Sequence, residues 1–503
     1  MLSVTVPKPF CPCPAPFNLA QYVLAAADTC PDRVALAILG ASDAEEWSYG
    51  RLKAAVLGVA AGLLAQGLEP GDRILLRIGN GVAFPLAFLG AVAAGIVPVP
   101  TASTLTKSEA EKLCAIVRPK LIVAGRDTAL PRASDCHVLF DTDLLRFEHL
   151  PPADYAMGDP DRLAYIVFTS GTSDHPRAIA HAHRAVWARR MMVGGWTGVC
   201  ASDRLLHAGA LNWTYTLGTG LFDPWVAGAT AMVLASDAAP TMLPTLAARH
   251  HATIIAAVPG LFRRILRDTS LPNLPRLRHG LSAGEKLPAK VRSDWNAATG
   301  TDLHEAMGMT ECSTFLSSSP ARPAPDGSTG YAQPGRQIAV LGANGAPVEC
   351  GTPGMLAIHR SDPGLFLGQF KMGTVRPFSA DWFETGDIVQ MDSDGSIVSL
   401  GRADDVITAG GYRIAPSEIE TALNSHPAVL ACAAMQLSPR PDTRLIGVFF
   451  QGDVCEDVLR DHLKSRLAPY KHPHIYIATK AIPLSPNGKV NRRALREEWK
   501  EKV

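Results

Sequence analysis

The chain has 503 residues, 47% of them apolar and 19% charged, with a formal net charge of +1. That length exceeds what one hydrophobic core supports, and the composition excludes a disordered chain. A charge balance so near zero excludes global attraction to nucleic acid or an anionic membrane, whereas small polyanions need only local charge.

The N-terminal MLSVTVPKPFCPCPAPFN has no continuous apolar run, so no signal peptide is expected. Among the 10 cysteines only Cys11 and Cys13 are close neighbours, and no second pair follows at zinc-finger spacing. Reduced thiols and a cytoplasmic location are the expectation. LAQYVLAAADTCPDRVALAI reads as helix, turn and strand. YGRLKAAVLGVAAGLLAQGLEPGDRILLRI reads as a long helix ended by Gly, a Glu-Pro-Gly-Asp turn and a strand. The apolar stretch Val82–Thr101 contains three prolines and predicts a buried helix followed by a strand, not a membrane span. SEAEKLCAIVRPKLIVAG and TLAARHHATIIAAVPGLFRRIL repeat the rhythm. Such alternation predicts an α/β architecture with largely parallel, buried sheets.

From about Ser328 short strands alternate with Gly/Pro/Asp turns, as in IAVLGANGAPVECGTPGMLAIH and GDIVQMDSDGSIVSLGR. They predict a β-rich subdomain over about 328–402 that completes a large N-terminal domain, 1–402. Helix–strand cycles then resume, and a small α+β C-terminal domain, 403–503, is expected to start near Ala403-Asp404. No internal repeat is visible.

FTSGTSDHPRAIAHAHR, Phe168–Arg184, follows the apolar run Ala164–Phe168. Small hydroxyl residues and Gly after a strand offer hydroxyls and backbone N–H groups to phosphate, although an ordinary strand-to-helix turn has the same composition. It is not a Walker A loop, because no Gly-Lys-Ser/Thr follows. Further on, Asp387 in WFETGD and Arg402 in GRADD each follow or begin a strand-like run and could bond one vicinal diol. Lys489 stands in a Pro/Asn/Gly turn, PNGKVNR, from which a point charge can be brought to another domain. Read singly, each is an ordinary turn residue or solvated lysine.

FTSGTSDHPRAI, GMTEC, WFETGD, GRADDVITAGGYRIAPSEIE and PNGKVNR together resemble the adenylate-forming acyl-CoA synthetase superfamily in order and spacing, over about Leu19–Trp499. That superfamily includes luciferases and the adenylation domains of non-ribosomal peptide synthetases. The resemblance implies a mobile C-terminal domain and two half-reactions. A carboxylate attacks the α-phosphate of MgATP to give acyl-AMP, and a thiol, usually of coenzyme A, then displaces AMP. It also implies roles position by position. Thr169, Ser170, Gly171, Thr172 and Arg177 would hold the β- and γ-phosphates, and Thr310 the α-phosphate. Glu311 would hold Mg²⁺, while Gly284, Glu285, Lys286 and Met309 would border the nucleotide. Asp387 and Arg402 would bind ribose, Asp404 would be the hinge, and Lys489 would bridge carboxylate and α-phosphate. Gly410, Gly411, Tyr412 and Arg413 would border the coenzyme A tunnel.

The chain departs from the family pattern at Asp174-His175-Pro176-Arg177-Ala178, where Gly-Pro-Lys-Gly is usual, and at Met307, where an aromatic is common. For the acyl pocket the resemblance points to Asn212, Trp213, Tyr215, Ser282, Ala283, Met307 and Gly308. Two rings and no acidic side chain favour an aryl or cyclic acid, with a short or medium aliphatic acid as rival. Coenzyme A is the expected acceptor, a separate carrier protein the alternative. A homodimer and a lysine acetyltransferase acting on Lys489 are further partners to expect; nucleic acid and membrane are not. A rival from another class is a serine hydrolase, since Gly280-Leu281-Ser282-Ala283-Gly284 fits Gly-x-Ser-x-Gly and His304, His359 and His426 follow.

Overall fold

The computed structural model describes residues 1–5, 10–132, 136–169, 176–268, 271–405, 407–409, 412–440, 443–484 and 490–502. Its central element is a 9-stranded sheet. Six of those strands run parallel, in the spatial order Leu303–Met309, His279–Ala283, Ile254–Ala257, Arg204–His207, Thr230–Leu234 and Val34–Leu39. Antiparallel strands flank them on both sides: Ala44–Ser48 beside Val34–Leu39, and Ser313–Ser317 beside Leu303–Met309, with Tyr331–Ala332 as the outermost strand there. Alternation along the parallel strands divides the core. Leu205, Ala256, Leu281, Ala283 and Ala306 pack with Trp196 and Tyr215 on one face. Leu206, Ile255, Ala257 and Leu303 pack with helices Pro259–Asp268 and Ala289–Thr299 on the other.

A second sheet is wholly parallel, in the order Val97–Pro100, Arg73–Arg77, Leu121–Ala124 and His137–Phe140. The helix that precedes its strand Val97–Pro100, Ala83–Ala93, has every residue buried. A helix apolar all round has no face for water, and here it is enclosed by protein. Truncating its Phe88, which is fully buried beside Phe84, Tyr165 and Phe222, should cost about 3–5 kcal/mol. Among the described residues no helix is long and apolar enough to cross a membrane.

The third sheet departs from the predicted parallel pattern. Leu163–Thr169 and Arg177–Ala182 are antiparallel neighbours, with Thr169 opposite Arg177, and Gly368–Lys371 and Thr374–Pro377 extend them. The segment after Phe168 therefore links two strands of a hairpin, not a strand and a helix. A fourth, antiparallel sheet holds Ile338–Leu341, Gly354–His359, Trp382–Met391 and Ile397–Arg402. Beyond Arg402 the hairpin Ile407–Ala409/Tyr412–Ile414 leads to three strands, Ala431–Arg440, Thr443–Gln451 and Ile475–Ala478. These pack with helices Pro416–Asn424 and Glu456–Lys464 around a core of their own, which includes Ile419, Val448, Phe450 and Leu459.

Candidate active site

Three sheets bring their chemistry to one place. Thr310, Glu311 and Cys312 form the turn between strands Leu303–Met309 and Ser313–Ser317 of the central sheet. Arg177 opens a strand of the third sheet, and its Nη2 lies 3.8 Å from Glu311 Oε1. Asp387 and Arg402 stand directly opposite each other on neighbouring strands of the fourth sheet. Arg402 Nη1 donates to Asp387 Oδ2 at 3.2 Å and to the Thr385 carbonyl at 2.7 Å. Gly386 makes that crossing possible: its φ is +80°, and a Cβ there would sit 2.6 Å from Arg402 Nη2. Burial raises the Glu311 carboxyl above its ordinary range, opposed by its own backbone N–H and by Arg177 and Arg402, while Asp387 adds to the rise. A buried anion facing two cations and a second carboxylate is built to exchange those partners for a charged ligand.

Behind the turn lies a second charge network. Arg189 donates from Nε and Nη2 to the two oxygens of Asp223, each at 2.7 Å, and from Nη2 to Thr219 Oγ1 at 3.1 Å. Its Nη1 donates to Ser313 Oγ at 2.6 Å. Ser313 closes the hairpin at φ +60°, a conformation more natural to Gly, so the Arg189 bond holds a strained residue next to Glu311. A narrow cavity runs between this network and Thr310, lined by Tyr165, His181, Arg189, Thr214, Gly218 and Ser313 among others. His181 is buried, stacked on Tyr165 at 4.8 Å between centroids, and faces the Thr310 backbone. Burial pulls its pKa down to about 4, so the ring is neutral at pH 7. Arg189, His181 and Thr214 were not anticipated. The signal was present in IAHAHRAVWARRM, which puts cationic and imidazole side chains into a run otherwise fit for a core.

The expected acyl wall is only partly assembled. Trp213 packs against the backbone of Gly284, whose φ of +103° and missing Cβ leave room for the indole. Ala283 shares that face of the sheet. Tyr215 is core: its ring lies between Trp196 and His207, and its hydroxyl donates to the Leu281 carbonyl at 3.2 Å. Ser282 is fully buried and alternates away from Ala283 to the face of its register partners Ala257 and Glu305, where its Oγ has no hydrogen-bond partner among the described residues. That position removes Ser282 from the pocket and from any nucleophile elbow. Met307 packs into the cluster of Phe315, Leu316 and Ile338, away from Ala306. Gly308 faces the backbone of Ser313 and Thr314, where a Cβ would approach to 2.7 Å, so its smallness serves the hairpin. Asn212 is half-buried just before Trp213, and Met309 pairs with Ser313 at the mouth of the turn.

The loop after Ala283 is tied at three points. Glu285 Oε1 accepts the Val490 backbone N–H at 3.0 Å. Lys286 Nζ donates to the Ser399 carbonyl at 3.2 Å. Leu287 N–H donates to Oε1 of the buried Glu305 at 3.1 Å, and Arg292 Nη2 approaches Glu305 Oε2 at 3.4 Å. Burial pushes the Glu305 carboxyl up to about 7. Thr169, the last described residue before the phosphate-type loop, has a buried hydroxyl without a hydrogen-bond partner among the described residues. Ser170, Gly171, Thr172, Gly410, Gly411 and Lys489 lie outside the described residues, as do the side chains of Asp404, Tyr412 and Arg413.

Residues 23–368 match the family described as AMP-binding enzyme, and residues 418–489 match the AMP-binding enzyme C-terminal domain. The 4-hydroxybenzoate–CoA/benzoate–CoA ligase of Rhodopseudomonas palustris is 30% identical over 481 residues, covering 90% of this chain and 88% of its own. The benzoate–CoA ligase of Thauera aromatica is 28% identical over 486 residues, covering 90% and 91%. The crystal structure of a benzoate CoA ligase from Burkholderia xenovorans LB400 superposes with a TM-score of 0.85 at 26% identity, over 95% of this chain and 100% of that one. With both family regions in place and the site geometry described above, the chain belongs to the AMP-binding enzymes, as an AMP-forming acid–thiol ligase of the acyl- and aryl-CoA ligase superfamily.

Proposed function

We propose that the protein joins an aryl carboxylic acid to coenzyme A by way of an aryl-adenylate. The observation that carries this reading is the meeting of Glu311, Arg177, Arg402 and Asp387 at the turn bearing Thr310, beside a narrow cavity. A carboxylate is a poor electrophile, because its charge is delocalised and oxide does not leave. Linking it to AMP supplies a leaving group, and the obstacle becomes repulsion between two anions.

Each residue has work in overcoming that obstacle. Arg177 and Thr310 supply a cation and a hydroxyl for phosphate oxygens, and Asp387 with Arg402 offers an acceptor and a donor to a ribose diol. Glu311 fits Mg²⁺, since this ion takes one or two protein carboxylates and fills its other positions with phosphate and water. A magnesium ion held there would neutralise charge on the phosphates. Consistent with so sparse a donor set, no group of three potential ligands occurs among the described residues. Lys489 is assigned, from its motif, the cation that accompanies the attacking carboxylate, and Asp404 the pivot between the half-reactions. For the acid, the activities named for the Rhodopseudomonas and Thauera relatives favour a benzoate, and the flat Trp213 indole beside Gly284 supports a planar substrate.

The test is acid-dependent release of AMP across benzoates, cyclohexane carboxylates and linear acids, with and without coenzyme A. Benzoates should give the highest kcat/KM, and sustained turnover should need the thiol. Faster turnover of linear acids would overturn the substrate class, and AMP release without any acid would overturn the ligase reading.

A further inference from the structure

We infer that Glu285 is a positioning residue: its carboxylate is the catch that holds the C-terminal domain against the nucleotide side of the large domain. The inference rests on the proposed two-step reaction for its catalytic meaning, but its structural content is independent of it.

Glu285 and Val490 are 205 residues apart, and the Val490 backbone N–H donates to Glu285 Oε1 at 3.0 Å. Val490 is the residue after Lys489 in the chain. It is also one half of an isolated bridge to Leu484, which Asn491 N–H reinforces by donating to the Pro483 carbonyl at 2.8 Å. The catch therefore grips a stiffened base, not a free strand end. Behind Val490 the chain enters helix Arg492–Lys502, whose Arg492 pairs with both Asp405 and Glu420, and whose Arg496 pairs with Asp405. These ion pairs lie within the C-terminal part of the chain and make it one body. Glu285 is an acceptor outside that body, as is the Leu400 carbonyl, which takes the Ser417 hydroxyl at 3.0 Å beside Arg402.

On the other side, Glu285 is equally well founded. It lies between Gly284, under Trp213, and Lys286, held by Ser399, and Leu287 is anchored to the buried Glu305. A carboxylate accepting from a backbone N–H forms a charge-assisted bond, and the Arg492 guanidinium adds Coulombic attraction to the same carboxylate. This separates two duties that one residue type would otherwise confuse. A contact to nucleotide would act on ATP binding. A catch would act on how often the domain sits in the orientation that acyl-adenylate formation needs, and must open before the thiol step.

Three variants of the full chain test this: Glu285→Ala, Glu285→Gln, and an amide-to-ester replacement at Val490 that deletes only its N–H. Without any substrate, hydrogen exchange across 484–492 should accelerate in all three, with the rest of the large domain unchanged. Acid-dependent pyrophosphate exchange should fall about 10- to 100-fold in Glu285→Ala and in the ester, the factor a charge-assisted bond corresponds to, and less in Glu285→Gln, which keeps an acceptor. Thioester formation from preformed aryl-AMP should be undiminished in the ester variant, which leaves the Glu285 side chain intact. Unchanged exchange protection, or an ester variant with wild-type pyrophosphate exchange, would overturn the catch. A raised KM for ATP at unchanged kcat in Glu285→Ala would reassign Glu285 to nucleotide binding alone. Failure of the wild-type protein to form AMP from any acid would remove the ligase reading and leave the hydrogen-exchange outcome standing.

Discussion

The turn Thr310–Cys312 separates two charge networks of opposite design. In the rear network Arg189 and Asp223 are buried at 7% and 3% exposure, and the guanidinium is bonded on Nε, Nη1 and Nη2. In the front network the arginines are about two-fifths exposed, and the contacts stretch to 3.2 and 3.8 Å. A buried pair must be fully satisfied because desolvation leaves no alternative partner, and that satisfaction makes it rigid. The front pairs lose little when a ligand replaces them. Rigidity behind and exchangeability in front would let one hairpin offer Glu311 to the proposed magnesium and nucleotide while keeping its own backbone in place.

Cutting each network once should separate a structural pair from a functional one. Arg189→Met strands a buried Asp223 and should destabilise the protein by about 3–5 kcal/mol in chemical denaturation. A loss under about 1 kcal/mol would mean that the pair is not desolvated as described. Glu311→Gln should do the reverse, lowering acyl-adenylate formation by about 100- to 1,000-fold while leaving the denaturation midpoint unchanged or slightly higher, because burial already disfavours the charged form. Ser313→Ala removes one partner of Arg189 and should cost about 1–2 kcal/mol. Ser313→Gly should cost less, since Gly relieves the φ of +60°. If Gly is the worse of the two, strain at 313 is not the feature that the Arg189 bond compensates.

Acidification should act most gently and mainly on the large domain. His181, His183 and His207 are buried, and burial lowers their pKa values from 6.5 to about 4, 3 and 3. Above pH 6.5 these rings are neutral in both states; below it the unfolded chain binds protons first, so stability falls as pH drops towards 3–4. Glu305 works oppositely. Its pKa is raised from 4.5 to about 7, so its contribution is complete below pH 4.5 and is lost as pH rises through 7. Between pH 4.5 and 6.5 these imidazoles, together with His304, which burial lowers to about 4, oppose the raised carboxyls of Glu305, Glu311 and Asp223, and the net slope is expected to run towards instability in acid. Glu305→Gln should steepen that slope, which denaturation midpoints from pH 5 to 8 can measure; an unchanged slope would mean that Glu305 titrates normally.

Much of this was legible because it is local or ordered along the chain. Val82–Thr101 announced a buried helix and strand through its prolines, and the structure has helix Ala83–Ala93 and strand Val97–Pro100 there. Asp387 and Arg402, 15 residues apart around a Gly-containing turn, could be read as a pair because a hairpin brings its two ends together. Ser282 was misread because periodicity says that a strand residue is buried, not which face buries it, and one residue of alternation separates it from Ala283.

By itself the chain determined its α/β rhythm, the change of texture near Ser328, and the ordered motifs that mark an adenylate-forming ligase, since each is written in neighbouring residues. Only the tertiary structure decided that Arg177, Glu311 and Arg402 would share a field, that Arg189 would brace Ser313, and that Glu285 would meet Val490. Those contacts join residues 124 and 205 positions apart, and their distances are set by how separate sheets pack, a quantity no local pattern encodes.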